Sequence, residues 1–278
     1  PISFLNNEIN FKDNLFTTRG HHGMKMGVEF NHDLENGIFD AASRGVFVFL
    51  GLTDLVNDSP LAYQVQIDPM AGTSIVNSPN HVRNFRRNDL AWFFQDDWKP
   101  IKNLTVNSGV RWEYFGVLKE TSGKQAGITL GPGNNIQTQL VGASLGPLSE
   151  MYSPNYKNFG PLLGLAWDPT GKGKFSVRAG WAINFDRIHN DLMSEPARFT
   201  PPYGAFAVSV AGYTDPVTCP MPAYTISNVF QYPPVLPAGF GGGLNANGFL
   251  GSCLSGGLML IDHNLRTPYV EQWNLTLQ

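Results

Sequence analysis

Four ionisable side chains, Arg111, Glu113, Arg178 and Asp186, are the candidates for chemistry in this sequence of 278 residues. A guanidinium carries several N–H donors and a carboxylate carries only acceptors, so together they can hold a polar ligand by charge-assisted hydrogen bonds. The sequence shows no spacing of serine, histidine and aspartate that indicates a nucleophile. We therefore expect ligand contacts rather than catalysis, and we predict no enzyme activity, no cofactor and no metal site.

These contacts depend on strands whose side chains alternate between two faces. In residues 104–115 one face is mainly apolar, whereas Arg111 and Glu113 belong to the other face. The same period of two runs through residues 175–186, which carry the other two candidates. A period of two is the signature of a β-strand with one buried or lipid-facing side.

Seven segments show this alternation, and most are about ten residues long, the length that a tilted strand needs to cross a membrane. The predicted strands are residues 8–18, 22–31, 88–98, 104–115, 159–168, 175–186 and 269–278. They are joined alternately by short turns and by long loops, which are residues 33–87, 116–158 and 187–268. Outer-membrane barrels have short periplasmic turns and long extracellular loops. The sequence therefore predicts an all-β fold, part of an antiparallel transmembrane β-barrel in the outer membrane of a Gram-negative type of cell.

The composition agrees with this interpretation. Charged residues make up 15% of the chain and hydrophobic residues 42%, whereas about 25% charged residues is usual. No run of 18 apolar residues is present, which excludes a transmembrane helix. The net charge of −3 implies no general affinity for nucleic acid.

If the apolar faces meet lipid, the charged residues of the strands must face inward, because a charge on the lipid side costs about 2–4 kcal/mol near the midplane. The inward-facing set is then Lys25, Glu29, Gln95, Asp97, Arg111, Glu113, Arg178 and Asp186. Their role is mutual pairing, contact with another domain, or direct contact with a ligand. Just before the third strand, Arg83, Arg86 and Arg87 are either solvated or placed to attract an anionic ligand or lipopolysaccharide phosphates.

Several strings resemble a known family of membrane proteins. Residues 92–98, Trp-Phe-Phe-Gln-Asp-Asp-Trp, and residues 103–114, Asn-Leu-Thr-Val-Asn-Ser-Gly-Val-Arg-Trp-Glu-Tyr, are similar to the barrel of TonB-dependent outer-membrane receptors. Residues 266–275, Arg-Thr-Pro-Tyr-Val-Glu-Gln-Trp-Asn-Leu, resemble a later strand of the same barrels. The likeness is greatest to the Oar-like group, which carries a carboxypeptidase-regulatory-like domain at its N-terminus.

The resemblance implies a 22-stranded barrel with an N-terminal plug and a box that engages TonB. Such receptors import scarce, bulky ligands with energy from the inner membrane. The implied partners are outer-membrane lipid, the plug, TonB and a nutrient of the siderophore, glycan or peptide class. Because only seven strands are predicted, we expect the sequence to be a piece of a longer protein.

Cys219 and Cys253 are the only cysteines, and both lie in the third predicted loop. Passage through the oxidising periplasm favours a disulfide between them, which would stabilise the protein by about 4 kcal/mol on the chain-entropy estimate. A metal pair, which would need further ligands, and free thiols are the alternatives.

Two other functions fit the same pattern. A passive porin or structural surface barrel would share the strands but have no plug. A soluble secreted β-sandwich, acting as an adhesin or carbohydrate-binding module, would also alternate, although its turns would not sort so clearly by length.

Refolding with and without detergent micelles separates the membrane and soluble interpretations. We expect aggregation in plain buffer and β-structure in micelles, because a sheet with an apolar face and open edges is not stable in water. Far-UV circular dichroism and size-exclusion chromatography measure the two outcomes. A monodisperse β-rich monomer in plain buffer would favour the soluble sandwich.

Overall fold

A computed structural model describes residues 2–39, 45–67, 82–200, 203–210, 225–227 and 261–278. The strands within them are β1 (Ile2–Arg19), β2 (His22–Phe39), β3 (Val46–Val48), β4 (Ala62–Ile67), β5 (Val82–Ile101), β6 (Leu104–Tyr114), β7 (Lys119–Glu120), β8 (Ala126–Thr129), β9 (Ser144–Pro147), β10 (Asn158–Trp167), β11 (Val177–Phe185), β12 (Ala205–Val210) and β13 (Tyr269–Leu277). The helices are α1 (Leu52–Val56), α2 (Ile136–Val141) and α3 (Asn190–Phe199). Among the described residues, no helix is both long enough and apolar enough to cross a membrane.

Seven strands form one antiparallel sheet in the order β1-β2-β5-β6-β10-β11-β13, and β7 adds a short pairing to β5. Each long strand therefore pairs with the next long strand along the chain. The predicted all-β antiparallel fold of about seven membrane-type strands is confirmed.

Short turns lie at one end of this sheet. Gly20 and His21 form a two-residue turn between β1 and β2, and Gly20 adopts a positive φ of 61° that favours glycine. At the turn after β10, the Thr170 hydroxyl and the Gly173 N–H donate to the Asp168 carboxylate at 2.7 Å and 2.6 Å. These bonds hold the pKa of Asp168 below its usual value.

The first three long strands extend further than the sequence predicts. β1 and β2 each have 18 residues and β5 has 20, whereas about 9–11 suffice to cross a membrane. Residues 33–39 and 82–87, predicted as loop, therefore continue the sheet. Residue type does not alternate there, because polar side chains such as Asn84 and Arg86 occupy the face opposite to that of Asp33 and Arg87.

The register divides the main sheet into two faces. The polar face carries Lys12, Glu29, Asp89, Arg111 and Asn158, and every inward-facing residue predicted within the strands lies on it. The apolar face carries Phe11, Val28, Trp92, Trp112 and Phe159.

Much of the apolar face is open to its surroundings. Phe11 is 65% exposed and Trp273, on β13, is 79% exposed. Rings this large are rarely left in water as one continuous surface, so this face requires an apolar surround.

The long loops fold together into a cap over the other end of the sheet. β12 of the third loop pairs with β4 of the first loop, which also pairs with β3. Phe85 of β5 packs with Leu118, Met151 and Tyr152 of the second loop, and all four are buried. Burial raises the pKa of the Tyr152 phenol. The cap is therefore attached to the sheet by its own small apolar core.

Replacement of Gly160 by alanine tests how closely the strands of the sheet approach. A Cβ atom at Gly160 would lie 2.5 Å from the backbone oxygen of Ile183, and backbone cannot move aside as a flexible side chain can. We expect Gly160→Ala to lower the free energy of unfolding by about 1–3 kcal/mol, measured by urea unfolding in micelles. The control is Gly146→Ala, since a Cβ there meets nothing within 4 Å; equal effects of both variants would contradict the expectation.

Candidate functional site

A network of four charged side chains, three of them largely buried, lies on the polar face beneath the cap. Nη2 of Arg87 donates to Oδ2 of Asp33 at 2.7 Å, and its Nε makes an ionic contact with Oδ1 of Asp89 at 3.3 Å. Nη1 of Arg187, from the third loop, donates to the same Asp33 oxygen at 2.9 Å and to Asp89 at 3.4 Å. Only 1% of the Arg87 side chain is exposed. Two carboxylates therefore neutralise one buried guanidinium, that of Arg87, and one that is 39% exposed, that of Arg187.

The position of Arg187 shows how the sheet curves. Arg187 follows β11 by two residues, yet Asp33 belongs to β2, four strands away in the sheet order. On a flat sheet with strands about 4.8 Å apart, that separation would be about 19 Å. One pair of side chains does not span this distance, so the sheet must curl with its polar face inside.

A second ionic cluster lies beside the first. Nε of Arg111 donates to Glu113 at 2.7 Å and its Nη2 donates to Glu29 at 3.3 Å. Nζ of Lys12 lies 3.1 Å from the same Glu29 oxygen. The Arg111 side chain is 39% exposed, so this cluster is open to small molecules where Arg87 is not.

A recess of about 330 Å³ lies between the two clusters. Its charged lining residues are Glu8, Glu29, Asp89, Arg111, Glu113 and Arg187. A second space of about 270 Å³ continues along the sheet past Gly109 and Gly160, and Arg111 lines both. Arg111 therefore lies where the two spaces adjoin.

Some hydrogen-bonding groups in the recess are not used by the protein. Among the described residues, no hydrogen bond or ion pair engages Glu8, and none engages Nε or Nη2 of Arg187. The recess therefore presents both an anionic acceptor and cationic donors to a ligand.

The structure brings together two of the four predicted site residues. Arg111 and Glu113 are bonded to each other and line the recess. Arg178 is exposed and lies opposite Ala166 of β10, whereas Arg111 lies opposite Gly160 of the same strand. Six residues separate Gly160 from Ala166, so Arg178 lies about 20 Å along the sheet from Arg111. The Asp186 carboxylate accepts the backbone N–H of Arg187 at 2.8 Å, so it supports the chain that leads to the network. The ligand-binding role of all four stays a prediction.

Sequence reasoning did not find the buried network, and it assigned the wrong surroundings to part of the basic cluster of Arg83, Arg86 and Arg87. Arg83 and Arg87 are 0% and 2% exposed, so solvation is the wrong interpretation for both. Arg86 points to the opposite face, where it donates to Asn36 at 2.8 Å. Extension of the period of two from residues 88–98 back to residue 82 would have placed Arg83 and Arg87 on one face and Arg86 on the other.

Two other predictions concern metals and the cysteines. Within the described ranges, no group of three or more histidine, cysteine, aspartate or glutamate side chains is placed to hold a metal ion. The proposed pair of Cys219 and Cys253 lies outside the described residues.

Comparison with known proteins shows whether the main sheet belongs to a membrane barrel or to a soluble sandwich. The profile of the outer membrane beta barrel domain matches residues 1–278. The chain belongs to this family. The barrel domain is therefore an outer-membrane protein, its apolar face meets lipid, and its polar face lines the lumen. The soluble sandwich is excluded. Neither the search of curated proteins nor that of solved structures gave a significant match.

Replacement of Asp33 tests whether the buried network stabilises the barrel domain. Asp33→Asn leaves Arg87 and Arg187 sharing only Asp89, and loss of one partner from a buried ion pair typically costs about 3–5 kcal/mol. We expect a loss of about 3 kcal/mol in the free energy of unfolding, measured with urea in micelles.

The matched control is Glu150→Gln in the cap. Glu150 lies 4.0 Å from Lys119, and the two side chains are 44% and 60% exposed. Exposed pairs contribute about 0–1 kcal/mol, so this variant should unfold almost like the parent. A loss for Asp33→Asn that is no larger than the loss for Glu150→Gln would contradict a stabilising role of the network.

Proposed function

We propose that this barrel domain is part of a TonB-dependent receptor that captures and imports a bulky nutrient. The observation that supports this is the charged recess on the lumen face, beneath a cap made by the long loops. A ligand that enters from outside would meet the cap first and the recess next. The resemblance of residues 92–98, 103–114 and 266–275 to such receptors supports the same assignment.

The groups in the recess favour a ligand that carries both charges. Among the described residues, the unused donors of Arg187 and the unused Nη1 of Arg111 suit a carboxylate, and the unused carboxylate of Glu8 suits an ammonium group. Among siderophores, glycans and peptides, a peptide fragment carries both groups. We therefore place peptides first.

The proposed role is binding and transport, without catalysis. Most charged groups of the recess are hydrogen-bonded to one another. Such contacts fix the positions of the side chains, which suits groups that orient a ligand. Outer-membrane lipid surrounds the apolar face, and a plug and TonB in other parts of the assembly would supply gating and energy. No nucleic acid is expected as a partner.

Peptide binding and energised uptake test the proposal together. Fluorescent tri-alanine should bind the protein in micelles, and Arg111→Gln should weaken binding about tenfold because one charge-assisted contact is worth about 1.5 kcal/mol or more. Lys172→Gln in an exposed short turn removes the same charge and should bind like the parent. Uptake by cells that express the full-length protein should stop when the proton gradient is dissipated.

The passive-porin alternative makes the opposite prediction. Uptake that persists without the proton gradient, together with open-channel conductance in planar bilayers, would favour a passive porin over a TonB-dependent receptor. Tri-alanine binding that is equal in Arg111→Gln and the parent would exclude the recess as the capture site.

A further inference from the structure

We propose that Arg86 and Lys119 bind the phosphate groups of lipopolysaccharide on the outer wall of the barrel domain, just above the hydrocarbon layer. The two residues lie opposite each other on β5 and β7, so their side chains are neighbours on one face of the sheet. This is the lipid-facing side of the wall. The proposal therefore does not depend on the recess, on the identity of the nutrient or on its source of energy.

The upper edge of the apolar face shows where the hydrocarbon of the outer leaflet ends. On β5 the outward side chains change from apolar to polar within a few residues. The apolar ones are Phe94, Trp92 and Leu90, and the polar ones that follow toward the long loops are Asn88, Arg86 and Asn84. In a transmembrane barrel, such a change marks the boundary of the apolar band.

The neighbouring strands place the boundary at the same level. Phe11, Phe30, Leu90 and Tyr114 are successive partners in the ladder, so they form one apolar row across β1, β2, β5 and β6. One row nearer the long loops, His32 lies opposite Asn88, and its Nδ1 lies 2.6 Å from the amide oxygen of Asn88. The polar rows therefore begin directly above Leu90.

Arg86 lies at the height of the headgroups. It is four residues beyond Leu90, which is about 13 Å along the strand, and a strand tilt of about 35–45° reduces this to about 10 Å in height. The long side chains of arginine and lysine can cover part of that distance. In the outer leaflet of a Gram-negative outer membrane, the groups nearest to this level are the phosphates of lipid A.

The guanidinium of Arg86 keeps donors for such a ligand. Its Nη1 donates to Oδ1 of Asn36 at 2.8 Å and to the backbone oxygen of Phe85 at 2.7 Å. Among the described residues, no hydrogen bond or ion pair engages its Nε or Nη2. The two contacts of Nη1 hold the side chain against the wall, so the remaining donors keep the fork geometry that suits phosphate oxygens.

Lys119 adds a second cation that is only loosely paired. Its side chain is 60% exposed, and its Nζ lies 4.0 Å from a carboxylate oxygen of Glu150, which is itself 44% exposed. Exposed pairs of this kind contribute little to stability. A phosphate can therefore replace Glu150 as the partner of Lys119 at small cost.

The acidic side chains at neighbouring strand positions face the lumen. The register assigns this face to Asp33, Glu35, Asp89 and Glu120. Two of them have cationic partners there, because Asp33 pairs with Arg87 and Glu35 pairs with Arg198. In the described part of this corner, the outer face thus presents two cations and one exposed carboxylate, which complements a headgroup that carries two phosphates.

The apolar row beneath the cations favours a lipid over a soluble phosphate. Leu90 is 44% exposed and Trp92 is 39% exposed on the same face as Arg86. Lipid A carries acyl chains directly below its phosphates, so one molecule can contact the apolar row and the cations together. Free phosphate would use the cations alone.

Lipid A binding to the full-length protein in micelles tests the site. With EDTA present to remove bridging divalent cations, we expect bisphosphorylated lipid A to bind the parent at least tenfold more tightly than dephosphorylated lipid A. The double variant Arg86→Gln and Lys119→Gln should lose this preference, because it lacks the charge-assisted contacts. A fluorescent lipid A titration measures the affinities, and unchanged far-UV circular dichroism shows that the sheet has folded.

The matched control removes two charges at the other end of the sheet. Lys172→Gln with Lys174→Gln, both exposed in a short turn, should bind lipid A like the parent. Equal weakening in the control, or equal binding by the parent and the Arg86 and Lys119 double variant, would overturn the site. Displacement of lipid A by inorganic phosphate at an equal concentration would overturn a lipid as its ligand.

Crosslinking in intact cells tests the height of the site. Asn7 is exposed and lies in the row of Arg86, with Leu34 between them. A photo-crosslinking amino acid in place of Asn7 should capture lipopolysaccharide, detected by antibody. The same amino acid in place of Thr17, on the same face near the short turns, should capture none. Equal capture at both positions, or none at either, would overturn the placement in the outer leaflet.

Discussion

The continuous antiparallel hydrogen-bond ladder from β1 to β13 is the constraint on which the rest of the molecule depends. Lipid offers no partner to a backbone N–H or C=O group, so each strand must find its partners in its neighbours. Once that pairing is fixed, the period of two assigns each side chain to the lipid or to the lumen. The apolar side chains and the charged clusters are therefore two consequences of one register.

Several charged side chains are buried where the sheet rises beyond the length that a membrane requires. Asp33, Glu35 and Arg87 lie in the parts of β2 and β5 nearest the long loops, and the cap excludes water from them. Each is paired with an opposite charge, which offsets the cost of its burial. The strand extensions thus give the barrel domain a place where ionic contacts attach loops to the wall.

The wall could be predicted from sequence because its signal is local. Arg111 and Glu113 lie two residues apart on one strand, so alternation alone placed them on the same face. The partner of Asp33 in the third loop is 154 residues away along the chain, and it arrives there only because the sheet curls. Neither alternation nor composition contains that curvature, so the network required the structure.

The pairing of β4 with β12 has a consequence for the order of assembly. Residues 62–67 and 205–210 are neighbours in space, but β5, β6, β10 and β11 lie between them in the sequence. Closing so long a loop costs conformational entropy unless the intervening hairpins have already formed. The wall should therefore assemble first as successive hairpins, and the cap should close last, after the strands are in the membrane.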